Sequence, residues 1–232
     1  MANAEIILGT TNPSKQQRLE HLLADFPVQL VGLAAVHNGL NEPAETAANP
    51  DDVAMAKATN YAMQLRDESL LAGRWVLAMD DMATLADVTN EEHAPGSFKD
   101  PVERTHGVFN PTTALRYYGR LAKKYNSSIP VQCRYGLALA GYPDEKGPIK
   151  VLSTTADLSY RMVAKPAKGV PIPTGYPLSS LLRLELSDGQ EYARSELTPD
   201  QVREADAPLV RGIRGLLLHA GVVSLDFKGA LS

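Results

Sequence analysis

EIILGTTNPSK, residues 5–15, is the stretch whose reading decides the fold. Glu5 to Gly9 is a short apolar run stopped by Thr10-Thr11-Asn12-Pro13, the pattern of a buried strand ending in a polar turn. The period then changes. Leu19, Leu22, Leu23 and Phe26 recur at helical spacing, and Pro13-Ser14 is a start signal, so a helix is predicted over residues 14–25. A strand, a polar turn and a helix in that order open an α/β protein, with Lys15 in the first turn of the helix.

Working outward, residues 28–33 read as a second strand and residues 34–49 as a loop. NPDDVAMAKA, residues 49–58, then begins a helix predicted to reach Leu71. Asn49 stands at the N-cap, Pro50 at the first helical position, and Asp51 and Asp52 near the positive end of the dipole. Val53, Ala54, Ala58, Tyr61, Ala62 and Leu65 trace its apolar stripe, with Lys57 beside it. WVLAM, residues 75–79, is a central strand bounded by Asp80-Asp81. Residues 87–111 read as a long surface loop, residues 112–125 as a helix, and residues 131–140 and 149–162 as two long strands that pair as a hairpin. The Pro-rich stretch 165–177 is irregular. A strand at 181–186, a short helix opened by Thr198-Pro199 and a last helix from Pro208 to about Gly221 complete one domain, residues 1–232, without repeat or linker.

Composition excludes several classes. An apolar fraction of 44% with 22% charged residues is that of an ordinary globule. The net charge of −4, with no Lys/Arg block, argues against a nucleic-acid polymer as partner. Cys133 is the only cysteine, which excludes an internal disulfide and a thiolate zinc cluster and fits a reducing compartment. The N-terminal residues carry no basic n-region, and no window reaches spanning length, so a cytoplasmic protein with no membrane partner is expected. The five histidines lack metal-ligand spacing and read as mostly surface residues, and Cys133 as a buried inert thiol. No Walker loop or dinucleotide fingerprint is present.

Two polar clusters follow predicted strands, where ligands gather in open α/β sheets. In the first, Thr10, Asn12, Ser14 and Lys15 lead into a helix N-terminus, whose unpaired N–H groups and dipole attract phosphate; the bland alternative is a strand end and a helix cap. In the second, Asp80 and Asp81 are charges next to a buried strand, which must be solvated, paired or bound to a metal, or else form a turn. Strand alternation sends only one of the two directly toward the ligand. Glu45 in the preceding loop and Lys57 complete a set that suits Mg2+, which takes one or two carboxylates plus phosphate oxygens and water.

This order of clusters resembles the inosine triphosphate pyrophosphatase family, which hydrolyses non-canonical purine triphosphates. The matching residues are Thr10, Asn12 and Lys15; Glu45, Thr46, Lys57 and Ala58; Asp80 and Asp81; and then Pro95-Gly96, the strand around Gly136, Gly175 and Arg211-Gly212. The resemblance implies an elongated mixed sheet flanked by helices, two lobes around a deep cleft, and a homodimer. It also implies Mg2+-dependent cleavage of a nucleoside triphosphate to a monophosphate and pyrophosphate. Carried across, Asp81 activates water and helps hold the metal with Glu45 and Asp80, while Lys15 and Lys57 bind the triphosphate.

The departures fall on base recognition. Met82-Ala83 stands where the family has serine and glycine, and Asp52-Val53 where it has glutamate and asparagine. Its aromatic stretch survives only as Gly175-Tyr176-Pro177-Leu178-Ser179-Ser180, and its late Ser-His-Arg-Gly as Leu209-Val210-Arg211-Gly212. Tyr176 and Arg211 are the remaining candidates for substrate contact. Two rivals stand beside the hydrolase: a nucleotide-binding or regulatory protein that kept the phosphate site without turnover, and a phosphatase of another phosphorylated metabolite.

Overall fold

The computed structural model describes residues 4–37, 39–43, 49–143, 147–166, 168–169, 172–173 and 175–224. In chain order the elements are β1 (Ala4–Leu8), α1 (Pro13–Leu22), β2 (Val28–Gly32), α2 (Leu33–Val36), α3 (Pro50–Asp67), β3 (Arg74–Leu85), α4 (Asn90–His93), α5 (Lys99–His106), α6 (Pro111–Lys124), β4 (Ser128–Gly141), β5 (Lys150–Val163), β6 (Leu182–Glu185), β7 (Glu191–Ala193), α7 (Pro199–Ala205) and α8 (Ala207–Ala220). The seven strands form one mixed sheet in the order β2-β1-β3-β4-β5-β6-β7. β1 runs parallel to both β2 and β3, while β6 is antiparallel to β5 and β7. The expected α/β class and mixed sheet are therefore the ones found.

The chain divides into two compact units. The first comprises Met1–Asp80, Tyr135–Ala156 and Pro208–Ser232, the second Asp81–Arg134 and Asp157–Ala207, so β3, β4 and β5 each pass from one to the other.

In the first unit, strand alternation sorts the core onto two faces of the sheet. Ala54, Ala58, Tyr61, Ala62 and Leu65 of α3 form one buried cluster with Ile7 of β1, Val76 and Ala78 of β3, and Ala138 and Ala140 of β4. Small residues on both sides let this helix lie close. Gly136, in step with Ala138 and Ala140, meets the α3 backbone so tightly that a Cβ there would collide with the Pro50 carbonyl and the Asp51 amide. The alternate residues, Trp75, Leu77 and Met79 on β3 and Leu137 and Leu139 on β4, are buried too. On that side Gly212 brings α8 against Leu137 and Thr154, and Arg18 of α1 donates from Nη1 to the Tyr135 hydroxyl at 2.8 Å. Burial of both faces explains why WVLAM reads as a continuous apolar run instead of an alternating one.

In the second unit, His93 is only 2% exposed, an exception to the mostly surface histidines expected. Its Nε2 lies 3.3 Å from the Ala83 carbonyl and its Nδ1 3.1 Å from the Tyr118 hydroxyl, which also reaches the Phe98 carbonyl at 2.9 Å. Burial holds the His93 pKa below the ordinary imidazole value and pushes the Tyr118 phenol up. The long loop expected over residues 87–111 contains α4 and α5, both too short to announce themselves by periodicity. A second polar pair joins Arg194 to the buried Asp206 at 2.7 Å, with the guanidinium carbon 5.8 Å from the Tyr160 ring centre.

Candidate phosphate and metal site

The parallel strands β2, β1 and β3 create the site's position. From β1 the chain runs through α1 to β2 on one side, then returns through α3 to β3 on the other, so the order reverses between β1 and β3. Right-handed crossovers in opposite directions place α1 and α3 on opposite faces, leaving a crevice at the carboxyl ends of β1 and β3.

The turn after β1 is built by its own side chains. Gly9 donates its N–H to the Leu77 carbonyl at 2.8 Å, and a Cβ at Gly9 would meet Val76 Cγ1 at 2.8 Å, so β1 and β3 can approach only at a glycine. Thr10 Oγ1 accepts from the Asn12 amide at 3.1 Å. Asn12 Oδ1 then caps α1, accepting from the amides of Ser14 at 2.9 Å and Lys15 at 3.5 Å, with Pro13 at the first helical position. No acidic residue occupies the first turn of α1, so its positive end is not offset from within the helix.

Asp80 is the centre of the cluster. It shares the parity of Val76 and Ala78, which face α3, and there Lys57 is buried at 6% exposure beside an Asp80 that is itself 9% exposed. Lys57 Nζ lies 3.7 Å from Asp80 Oδ2 and 3.9 Å from Glu42 Oε1. Lys15 Nζ, arriving from α1, forms an ion pair with Asp80 Oδ1. Thr11 Oγ1 donates to Glu42 Oε2 at 3.5 Å, tying the loop carboxylate to the turn after β1. Burying Lys57 is tolerable because the carboxylates repay its desolvation.

Of the residues singled out from sequence, Thr10, Asn12, Lys15, Lys57 and Asp80 come together here, with Ser14 supplying a capped amide. Asp81 is the next residue along β3, exposed, on the opposite face of the strand from Asp80, and it begins the second unit. Glu45 lies outside the described residues. Tyr176 is half-buried in the second unit at the head of a 3-10 turn, Pro177–Ser180, where its carbonyl accepts from Ser179 Oγ at 2.7 Å. Arg211 is exposed on α8. Glu42 escaped the sequence reading; its only signal is an acidic side chain three residues before Glu45 in a polar loop.

Among the described residues, no three His, Cys, Asp or Glu side chains gather where they could hold a metal. Magnesium does not require such a cage, because it takes few carboxylates and keeps waters and phosphate oxygens. The hard carboxylate oxygens of Asp80 and Glu42, next to Lys15 and Lys57, fit that ligand set.

The fold and the site together define a class: an open mixed α/β sheet with two lysines and a buried carboxylate at its switch point. The particular likeness is to a HAM1 protein from Coxiella burnetii, with a TM-score of 0.62 over 93% of this chain and 98% of that chain at 17% identity. The chain thus has the HAM1-type fold, in agreement with the inosine triphosphatase-like fold expected from the ordered motifs. No protein-family model and no curated protein sequence matches it.

Proposed function

We propose that this protein hydrolyses a nucleoside triphosphate to a nucleoside monophosphate and pyrophosphate with the help of Mg2+. The observation that carries the reading is the convergence of Lys15 and Lys57 on Asp80 at the β1/β3 switch point, next to a helix N-terminus free of acidic residues. Lys15 and Lys57 take the phosphate oxygens, with the positive end of the α1 dipole behind Lys15. Asp80, with Glu45 or Glu42, is the acceptor for Mg2+, which when bound neutralises charge on the polyphosphate. Asp81 orients the attacking water and takes its proton. Water adds to the α-phosphorus, the bridge to the β-phosphorus breaks, and pyrophosphate leaves with the bridging oxygen.

The test is a panel of canonical and non-canonical triphosphates, with Mg2+ or with EDTA, assayed for pyrophosphate. Release from at least one member with Mg2+ and none with EDTA is expected; no release from any member overturns the hydrolase reading.

One observation favours the rival, a binding protein without turnover. Where the family has serine and glycine after its aspartates, Met82 offers no hydroxyl, and Ala83 pairs its backbone with Gly96, its N–H at 2.9 Å and its carbonyl at 3.0 Å. Tight triphosphate binding by calorimetry without product would select that reading.

A further inference from the structure

Asp80 is claimed twice. Lys15 holds its Oδ1 and Lys57 lies 3.7 Å from its Oδ2, while Glu42 stands 3.9 Å from Lys57. Among the described residues of this cluster two cations meet two carboxylates, and the lysines that would receive a polyphosphate are already engaged. An incoming polyphosphate alone must draw both lysines off Asp80 and leave a largely buried carboxylate facing an anion. Stripping the partner from a buried charge is among the costliest changes a site can undergo. A divalent cation alone must displace the lysines from the same carboxylate against their repulsion. When both ligands arrive, each removes the other's obstacle: the cation becomes the partner of Asp80, and the lysines turn to the phosphates.

We infer that Asp80 is an exchange residue, passed from Lys15 and Lys57 to a divalent cation as polyphosphate binds, so that the two ligands bind synergistically beyond their affinity for each other in solution. The inference rests on the phosphate-site reading above and not on turnover. Because coupling free energies are reciprocal, the cation tightens polyphosphate binding by the same factor as polyphosphate tightens the cation, at least about tenfold here. It has a consequence opposite to that of an ordinary ligand or structural residue: removing the charge of Asp80 releases the lysines and should improve metal-free polyphosphate binding.

The experiment is calorimetry with an α,β-methylene purine nucleoside triphosphate in EDTA and in excess Mg2+, on the wild type and Asp80→Asn. In the wild type, Mg2+ is expected to tighten binding at least about tenfold; in Asp80→Asn the metal-free affinity rises by about tenfold and the Mg2+ enhancement disappears. Metal-free affinity that is unchanged or weaker in a folded Asp80→Asn protein overturns the exchange role. A second variant guards against misfolding of the first: Lys15→Gln removes one competitor for Asp80, so nucleotide-free Mn2+ binding, read from the free-ion EPR signal, should tighten several-fold, and unchanged or weaker Mn2+ binding contradicts the proposal. Failure of the analogue to bind in every arm overturns the phosphate site itself and the exchange with it. Synergistic binding without hydrolysis of any natural triphosphate leaves the exchange intact and removes only the hydrolase reading.

Discussion

At the scale of single residues, the chain separates charges that serve a ligand from charges that serve the fold. Lys57 and Asp80 are buried where β1 ends beside β3, whereas the fully buried Asp206 pairs with the largely covered Arg194 inside the second unit. Truncating one partner of such a pair strands the other, so Asp206→Ala is expected to lower stability by about 3–5 kcal/mol, read as a drop in the denaturant midpoint. A loss below about 1 kcal/mol would show that the guanidinium finds water or another acceptor. Asp81→Asn belongs to the chemistry instead. It should leave the denaturant midpoint in place and reduce turnover by roughly 10²–10⁴ if Asp81 acts as the general base, and undiminished turnover would remove it from that role.

At the scale of elements, the site depends on how closely α3 lies on the sheet. Gly136 faces the Pro50–Asp51 backbone with no room for a methyl group, and the same helix carries Lys57 two turns later. Gly136→Ala should therefore cost about 1–3 kcal/mol or more by overpacking and weaken triphosphate binding as well, because the helix must shift. Wild-type stability and binding in this variant would contradict the tight seating of α3. The His93 cluster connects the segment after Asp81 to α6 through Ala83 and Tyr118. Burial lowers the His93 pKa, with Arg104 adding to the effect and Asp100 opposing it. The folded state thus resists a proton that the unfolded chain accepts near pH 6.5. Its contribution is complete above that value and is lost as the pH falls through the window down to the depressed folded pKa. Thermal unfolding measured from pH 8 to 5 should show this acid loss, and His93→Gln should flatten it; an equal slope in both proteins would assign the loss to other groups.

At the scale of the whole molecule, the elements visible from sequence are those with long periodic signals: α1, α3, α6 and α8, and strands β1, β3, β4 and β5. β3 runs on through Leu85 past the aspartates, an extension that no apolar run announces, since its later residues alternate between buried and exposed. α2, α4 and β7 were missed because three or four residues hold too few repeats of a pattern to show a period. Asn49 shows the limit of residue preference: it occupies the N-cap of α3 without a side-chain cap bond, while Asn12 and Asn110 make theirs. Lys15, Glu45, Lys57 and the Asp80-Asp81 pair were legible as a set through their order along the chain, with Asp81 as the expected central carboxylate. That Asp80 is the carboxylate between the lysines, and that Glu42 joins them, follows from strand parity and loop course, which no spacing in the sequence encodes. The division into two compact units was equally invisible, since three strands run through both. Among the described residues no helix is long and apolar enough to cross a membrane.

The most direct test of the central claim is 31P NMR of the products formed from a responsive triphosphate with Mg2+ in 18O-enriched water. The proposed chemistry requires nucleoside monophosphate carrying the 18O and unlabelled pyrophosphate in equal amounts. Orthophosphate as the initial product, or label in the pyrophosphate, would contradict it.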